Sequence, residues 1–300
     1  MRWLSVVIGI VLIGTCLKDI FHTLFHPIGA GAVSEWISYR AWRVVRAWSG
    51  NNHRRLSLAG PLCFVLIVVG WLTSMIVGFA LIYAPFMSTQ FVMTPGLDMA
   101  RHHSFIDAVN FSIGSLITVG GDFATHSKWL RFASGIEAIF GFVLLSASLS
   151  WVLSIYPVLE QRRSVSHRLT LIHYAMCDAG IDRSKLPDGQ MQQMLWSLVS
   201  DITTARNNMA QFPITYYFNE VEPQSSFAGA ITFACDLAGS AQSPDTAEAV
   251  RLAAIVLQGA IHDFLQLVGK WFLRLPDGNS DEVLLEAFAR DHRRERVRLE

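Results

Sequence analysis

Charge is what this sequence has least of. Only 16% of its residues are charged against 52% hydrophobic, and mean hydropathy is +0.35. That balance excludes an ordinary water-soluble globule and makes a membrane protein the first expectation. Formal net charge is +0, so no global field draws the chain to nucleic acid or to acidic partners. Cysteine is scarce too. Cys16 and Cys63 lie in apolar runs, Cys177 and Cys235 in a polar, helix-patterned region, and the four show no CxxC and no paired spacing. Neither a disulfide framework nor a zinc site is indicated. No GxGxxG follows a strand, and no Walker motif or internal repeat is present. The sequence therefore points to no enzyme chemistry: no catalytic residue, no cofactor and no resident metal is expected.

What the chain does have is long apolar runs. Trp3 to Phe25 opens with WLSVVIGIVLIGTCL and just reaches the roughly 20 residues a helix needs to span hydrocarbon. A secretory or lipoprotein signal is the alternative, but the basic start is only Arg2 and no small-x-small cleavage pattern follows. Leu56 to Tyr83 carries no charge, with Pro61 near its start, where a missing N–H is tolerated. Trp129 to Leu159 carries only Arg131 and Glu137 and is long enough to span with tilt. Between the last two, Ser104 to Ile117 is helix-patterned but too short to cross, which makes it a candidate re-entrant element.

Loop charges set an expected orientation. Arg40, Arg43, Arg46, Arg54 and Arg55 lie between the first two spans, and Arg162, Arg163 and Arg168 follow the third. Both segments read as cytoplasmic, and Pro85 to Lys128, poor in basic residues, as external. Three crossings with an outer N-terminus and a cytoplasmic C-terminus satisfy these constraints, and an inner membrane is the expected location. The every-third-residue spacing of Arg40, Arg43 and Arg46 also occurs in voltage-sensing helices. Gating charges must cross the hydrocarbon field, however. A short helix framed by Trp36, Trp42 and Trp48 suits the cytoplasmic interface instead, with rings at the headgroup level and cations against anionic lipid.

Between the short helix and the third span stands Thr118-Val119-Gly120-Gly121-Asp122. Alone, these five residues describe a glycine turn. A spanning helix, a short re-entrant helix, this loop and a second spanning helix together resemble the pore module of two-helix potassium channels. Phe105 to Ile117 corresponds to the pore helix and Thr118 to Asp122 to the selectivity filter, with Asp122 matching its terminal acid. Arg131, Glu137 and Gly141 fall where the inner helix of that family begins. The resemblance covers Leu56 to roughly Leu159. It implies rings of backbone carbonyls that replace a permeant ion's hydration shell, potassium or another monovalent cation. A single filter copy per chain implies a homotetramer in the lipid bilayer. One departure stands out. The family filter reads Thr-Val-Gly-aromatic-Gly-Asp, and here the aromatic is missing, so the filter is one residue short and strict potassium selectivity is in question.

Other residues carry supporting expectations. Ser146, Ser150 and Ser154, at i, i+4 and i+8, put three hydroxyls on one helix face, read as lining the cavity below the filter, with close small-residue packing as the alternative. Glu137 is expected to brace the filter or pair with Arg131. The C-terminal partial charge of the pore helix is expected to face the cation path. Asp19, His22 and His26 share a face at the end of the first span, a spacing that could hold a metal, although an interfacial polar face is the commoner use. His102 and His103 would lie near the pore mouth.

From Glu160 onward the pattern is polar and helical. Helices are expected at about Val165 to Ala179, Gly189 to Gln211, Phe227 to Ala238, Thr246 to Leu273 and from Asp281 on, with breaks at prolines. His262 and Asp263 are adjacent and should point to different faces, and the HRRERVR of His292 to Arg298 reads as a solvated helix end, with contact to lipid as the alternative. The expected fold is an all-α membrane protein in three parts: residues 1–55, an N-terminal span and interfacial helix; residues 56–159, the pore module; and residues 160–300, a cytosolic helical domain. The expected function is a tetrameric cation channel of potassium-channel type. The alternative is a non-conducting membrane sensor or scaffold whose cytosolic domain binds partners.

Overall fold

The computed structural model describes residues 2–26, 29–50, 52–93, 105–120, 123–178, 180 and 186–295. Among them the chain is almost wholly helical, in the order α1 (Arg2–Leu24), α2 (Ala32–Ser49), α3 (His53–Leu56), α4 (Ala59–Tyr83), α5 (Met87–Gln90), β1 (Phe91–Met93), α6 (Phe105–Leu116), β2 (Phe123–Thr125), α7 (Lys128–Asp178), α8 (Asp188–Gln211), α9 (Phe227–Ser240), α10 (Glu248–Val268) and α11 (Asp281–Asp291). The all-α expectation holds, with one addition. The three-residue strands β1 and β2 pair antiparallel, Phe91 opposite Thr125 and Met93 opposite Phe123. Their pairing brings the chain on either side of α6 together.

The molecule divides into two compact units. One comprises Met1–His26, Ala30–Ile37 and Phe64–Ser154; the other Pro27–Gly29, Ser38–Cys63 and Ile155–Glu300. In this grouping α1 joins residues 64–154 in one unit, while most of α2 joins the other.

In the first unit α1 packs on α4 through small residues. A Cβ at Gly9 would stand 2.5 Å from the Gly78 carbonyl oxygen, and one at Gly78 would stand 2.6 Å from Ile13. Such close approach is how helices associate in lipid, where no hydrophobic drive separates them from the solvent. Ser5 Oγ donates to Leu81 O at 3.1 Å along the same seam. Asp19, which the metal alternative would need, is buried and fully engaged. Its carboxylate accepts from Val33 N at 2.8 Å, Ser34 N at 3.2 Å, Ser34 Oγ at 2.5 Å and Trp71 Nε1 at 2.9 Å. Val33 and Ser34 open α2, whose own capping position, Gly31, has no side chain to offer. Asp19 thus caps α2 from a different helix, and a Cβ on Gly31 would collide with it. Among the described residues no cluster of three or more His, Cys, Asp or Glu is arranged to hold a metal.

In the second unit α8, α9, α10 and α11 pack around Leu195, Leu198, Ile202, Ile231, Leu257 and Phe264, all fully buried. Four helical segments have the length and hydropathy to cross a membrane: Arg2–Leu24, His53–Gln90, Lys128–Asp178 and Glu248–Leu273. The fourth spends its apolar stripe inside this unit. Val250, Ala254, Leu257, Ile261, Phe264 and Val268 are buried at helical spacing, while Glu248, His262, Asp263 and Lys270 are exposed. It is an amphipathic core helix.

Two expectations about helices are corrected. The third span and the expected helix at 165–179 are one continuous helix, α7, which runs through Pro157 without ending. A proline costs one hydrogen bond and a local clash, and fifty other residues hold the rest of the ladder. The tryptophans of α2 are not a common headgroup belt. Trp36 and Trp48 are 58% and 64% exposed, but Trp42 is 3% exposed; its indole donates to Asp291 Oδ2 at 2.9 Å and packs against Tyr216, Tyr217 and His292. As expected, His262 and Asp263 diverge: His262 meets Asp281 at 2.7 Å and Asp263 meets Arg206 at 2.9 Å.

Candidate functional site

The site is built around α6. Twelve residues at 1.5 Å each extend about 18 Å, well short of a hydrocarbon core. One face, with Ala108, Phe111, Ser112 and Leu116, is buried; Ile106, Ile113 and Ile117 are exposed. Phe111 sits edge-on against both Tyr83 and Phe91, with ring centroids 4.9 Å away in each case. Edge-to-face aromatic packing of this kind fixes rotation as well as burying area, so α6 is held at a set angle on α4.

Polar contacts complete the attachment. Glu137 on α7 is fully buried and takes a hydrogen bond from Tyr83 Oη at 2.8 Å and a very short one from Ser112 Oγ. One carboxylate therefore ties α4, α6 and α7 together. Ser112 Oγ is also 3.1 Å from Ile76 O, and Ser115 Oγ lies 3.0 Å from Ser134 Oγ. Inside hydrocarbon a polar group without a partner costs several kcal/mol, so these bonds specify one arrangement of the three helices. The expected pairing of Glu137 with Arg131 is absent. Arg131 is exposed and donates to His126 O at 3.3 Å; Arg131 lies almost two turns before Glu137, in the first turn of α7, and Tyr83 and Ser112 occupy the carboxylate instead. Gly141 makes the closest approach. A Cβ there would overlap the Leu116 carbonyl, so α7 bears directly on the last residue of α6.

After Leu116 the chain turns back on its helix. Thr118 N donates to Ser115 O, and both Val119 N and Gly120 N donate to Gly114 O, each at 3.1 Å. This six-to-one and five-to-two pattern is a Schellman cap, with Thr118 at the left-handed position, φ 58°, and Gly120 at φ 76°. Glycine takes positive φ freely; a β-branched threonine does not. Strain of roughly 1–3 kcal/mol held in one loop residue motivates a functional reading of the loop. Thr118, Val119 and Gly120 are all exposed, Val119 at 79%. The carbonyls of Gly114 and Ser115, which the sequence reading aims at a cation path, are used to close the helix. Gly121, Asp122, His102 and His103 lie outside the described residues. On the far side of the loop, Thr125 Oγ1 and His126 N both donate to Gln90 O, at 2.9 and 3.1 Å, extending the β1–β2 clamp.

Ser146, Ser150 and Ser154 are exposed in the single chain. Ser146 Oγ donates to Phe142 O at 2.9 Å and Ser154 Oγ to Ser150 O at 3.0 Å, while Leu144, Ser148, Trp151 and Ile155 form the opposite, buried face of α7. The hydroxyl stripe is thus on one face, turned away from the chain's own packing. Sequence reasoning missed Tyr83 and Ser112 as partners of Glu137. The only signal for them was a hydroxyl on each neighbouring apolar helix.

Residues 66–156 match a protein family described as ion channel. A protein of Bacillus subtilis (strain 168), Uncharacterized membrane protein YdjJ, is 25% identical over 230 residues, which cover 74% of this chain and 64% of that protein. The chain thus matches less than two thirds of that relative's length. No solved structure matches it. A short helix braced between two apolar helices, with a strained glycine loop at its exposed end, lies within residues 66–156, the stretch of this membrane protein that is similar to the ion-channel family.

Proposed function

We propose that the protein is a homotetrameric cation channel of potassium-channel type, passing potassium or another monovalent cation through Thr118, Val119, Gly120, Gly121 and Asp122. The observation that carries the reading is the Glu137 brace. A carboxylate buried among α4, α6 and α7 at the cost of desolvation holds α6 so that its end presents an exposed loop with two left-handed residues. Four such loops about an axis would supply the carbonyl rings that one chain lacks. Below them, Ser146, Ser150 and Ser154 would line a wet cavity, since they are exposed among the described residues. Arg131 would act only at the outer rim. The first crossing would start outside and the helical unit would lie in the cytoplasm of a cell with this channel in its inner membrane.

The test is cation flux into liposomes from purified protein, with Gly120→Val beside the native chain. Among the described residues no heavy atom beyond the chain neighbours lies within 4 Å of a Cβ at Gly120, but its φ of +76° strains any side chain. The native protein should pass cations, and Gly120→Val should assemble and pass none. Unchanged flux and ion preference in an assembled Gly120→Val protein overturns the filter assignment.

One observation favours the rival, a non-conducting sensor or scaffold. The Schellman cap folds Thr118 to Gly120 against α6 and leaves the loop a residue shorter than the family filter. Native protein that assembles but passes no ion of any size supports that reading instead.

A further inference from the structure

Within the second unit a cavity of about 770 Å³ is lined by Arg46, His53, Arg290, Arg293 and Arg294, with Glu295 as the one acid on its wall. A run of surface arginines is ordinarily a solvated face. This one differs in how its charges are met. Arg46 is paired with Asp291 at 3.3 Å, and Arg290 with Glu286. Arg293 donates to the Arg46 carbonyl at 2.6 Å, and Arg294 to the carbonyls of Glu220 and Val221. A carbonyl accepts a hydrogen bond but neutralises no charge, and the Glu220 carboxylate that favours the Arg294 charge is shared with Arg162 and Arg163. Three donors, Arg46 Nε, Arg294 Nε and His53 Nδ1, are shut off from solvent and have no partner among the described residues. Buried donors without acceptors are costly, and guanidinium forks match phosphate oxygens in geometry and sign. The volume suits a ligand the size of a nucleotide or a lipid headgroup, and the half-exposed Tyr174 ring on the wall offers an apolar surface for its organic part.

We propose that this arginine cavity is a binding site for a phosphate ester, either a soluble phosphorylated compound or an anionic phospholipid headgroup, held by Arg293 and Arg294 with the Arg46 and His53 donors. The site stands independently of whether the pore conducts, because its test is binding.

The full chain in neutral detergent is titrated with inorganic pyrophosphate and, separately, with a water-soluble short-chain phosphatidylglycerol; short-chain phosphatidylcholine is the zwitterionic control. Heat of binding is the readout. At least one anion should bind saturably and phosphatidylcholine should not. Arg293→Gln, which loses its bond to the Arg46 carbonyl, should weaken binding about tenfold, and Arg293→Gln with Arg294→Gln should remove it. Lys270→Gln, an exposed cation outside the cavity, should leave binding unchanged. Saturation by pyrophosphate alone assigns the site to soluble phosphates, saturation by phosphatidylglycerol alone to lipid, and mutual competition to phosphate shared by both. The proposal is overturned if neither anion saturates, if Lys270→Gln weakens binding as much as Arg293→Gln does, or if a folded Arg293→Gln protein binds as the native chain does.

Discussion

The two units solve the same problem, holding helices together, with opposite materials. In the unit containing residues 64–154 the large apolar side chains of α7, among them Phe132, Phe142 and Leu145, face outward, while its interior carries the carboxylates Asp19 and Glu137 with their donors. In the unit containing residues 155–300 the apolar residues face inward and the charges lie largely at its surface. The difference follows from solvent. In water, burying apolar area drives helices together; in hydrocarbon, lipid is as apolar as leucine, so close glycine contacts and a few well-satisfied polar bonds decide which helices meet and at what angle. A buried acid is thus an organiser in the first unit. In the second the organisers are leucine, isoleucine and phenylalanine.

The sharpest break of that contrast is Glu137→Ala, which leaves Tyr83 Oη and Ser112 Oγ without their acceptor. Two orphaned donors at about 1–3 kcal/mol each should cost roughly 2–6 kcal/mol and abolish cation flux, whereas Glu137→Gln, still an acceptor, should keep a measurable fraction. Equal flux from native and Ala proteins would show that the brace is dispensable.

Next comes Leu257→Ala in the second unit. Truncating a fully buried leucine costs about 2–5 kcal/mol, seen as a lower denaturation midpoint in the thermal melt. A change no larger than that of an exposed residue such as Leu252→Ala would contradict the core assigned to α10.

Asp19→Ala removes the cap of α2 and the Trp71 bond together. An N-cap loss is about 1 kcal/mol, and the indole N–H adds a similar amount, so roughly 2 kcal/mol is expected. Asp19→Asn, which keeps an acceptor, should recover about half. A metal role would instead make thermal stability depend on added zinc, which the engaged carboxylate argues against.

The smallest effect is on pH. His292 is buried, and that burial, then Arg162, Arg294 and Arg46, holds its imidazole well below the ordinary 6.5. The folded state therefore refuses a proton that the unfolded chain accepts. Stability is full above about pH 6.5 and falls as pH drops below it, until the folded group also titrates. In His292→Phe the loss between pH 6.5 and 5 should shrink; an identical pH profile would remove His292 as its source.

Much of this was readable in residue order, for local reasons. Apolar runs of spanning length announced α1, α4 and α7, helical spacing announced α8 to α11, and the length of Phe105–Leu116 announced a helix too short to cross. What could not be read involved partners far apart in the chain. Asp19 caps a helix 14 residues on and reaches Trp71; Glu137 meets Tyr83, 54 residues earlier. Trp42 looked like its two neighbours in α2 because periodicity reports a helix's own faces and not what covers them.

Composition and period already marked a membrane protein, its long apolar helices and one helix too short to cross between two of them, because hydrocarbon thickness and helical rise translate directly into runs and spacings of residues. Tertiary packing alone chose Tyr83 and Ser112 over Arg131 for Glu137, set Gly141 against the Leu116 carbonyl, put Thr118 in a left-handed turn, and gathered Arg46 with the arginines at 290–294. Those outcomes depend on which helix surfaces meet, and the buried polar groups that select among such meetings gain their energy only once water or lipid has been excluded from them.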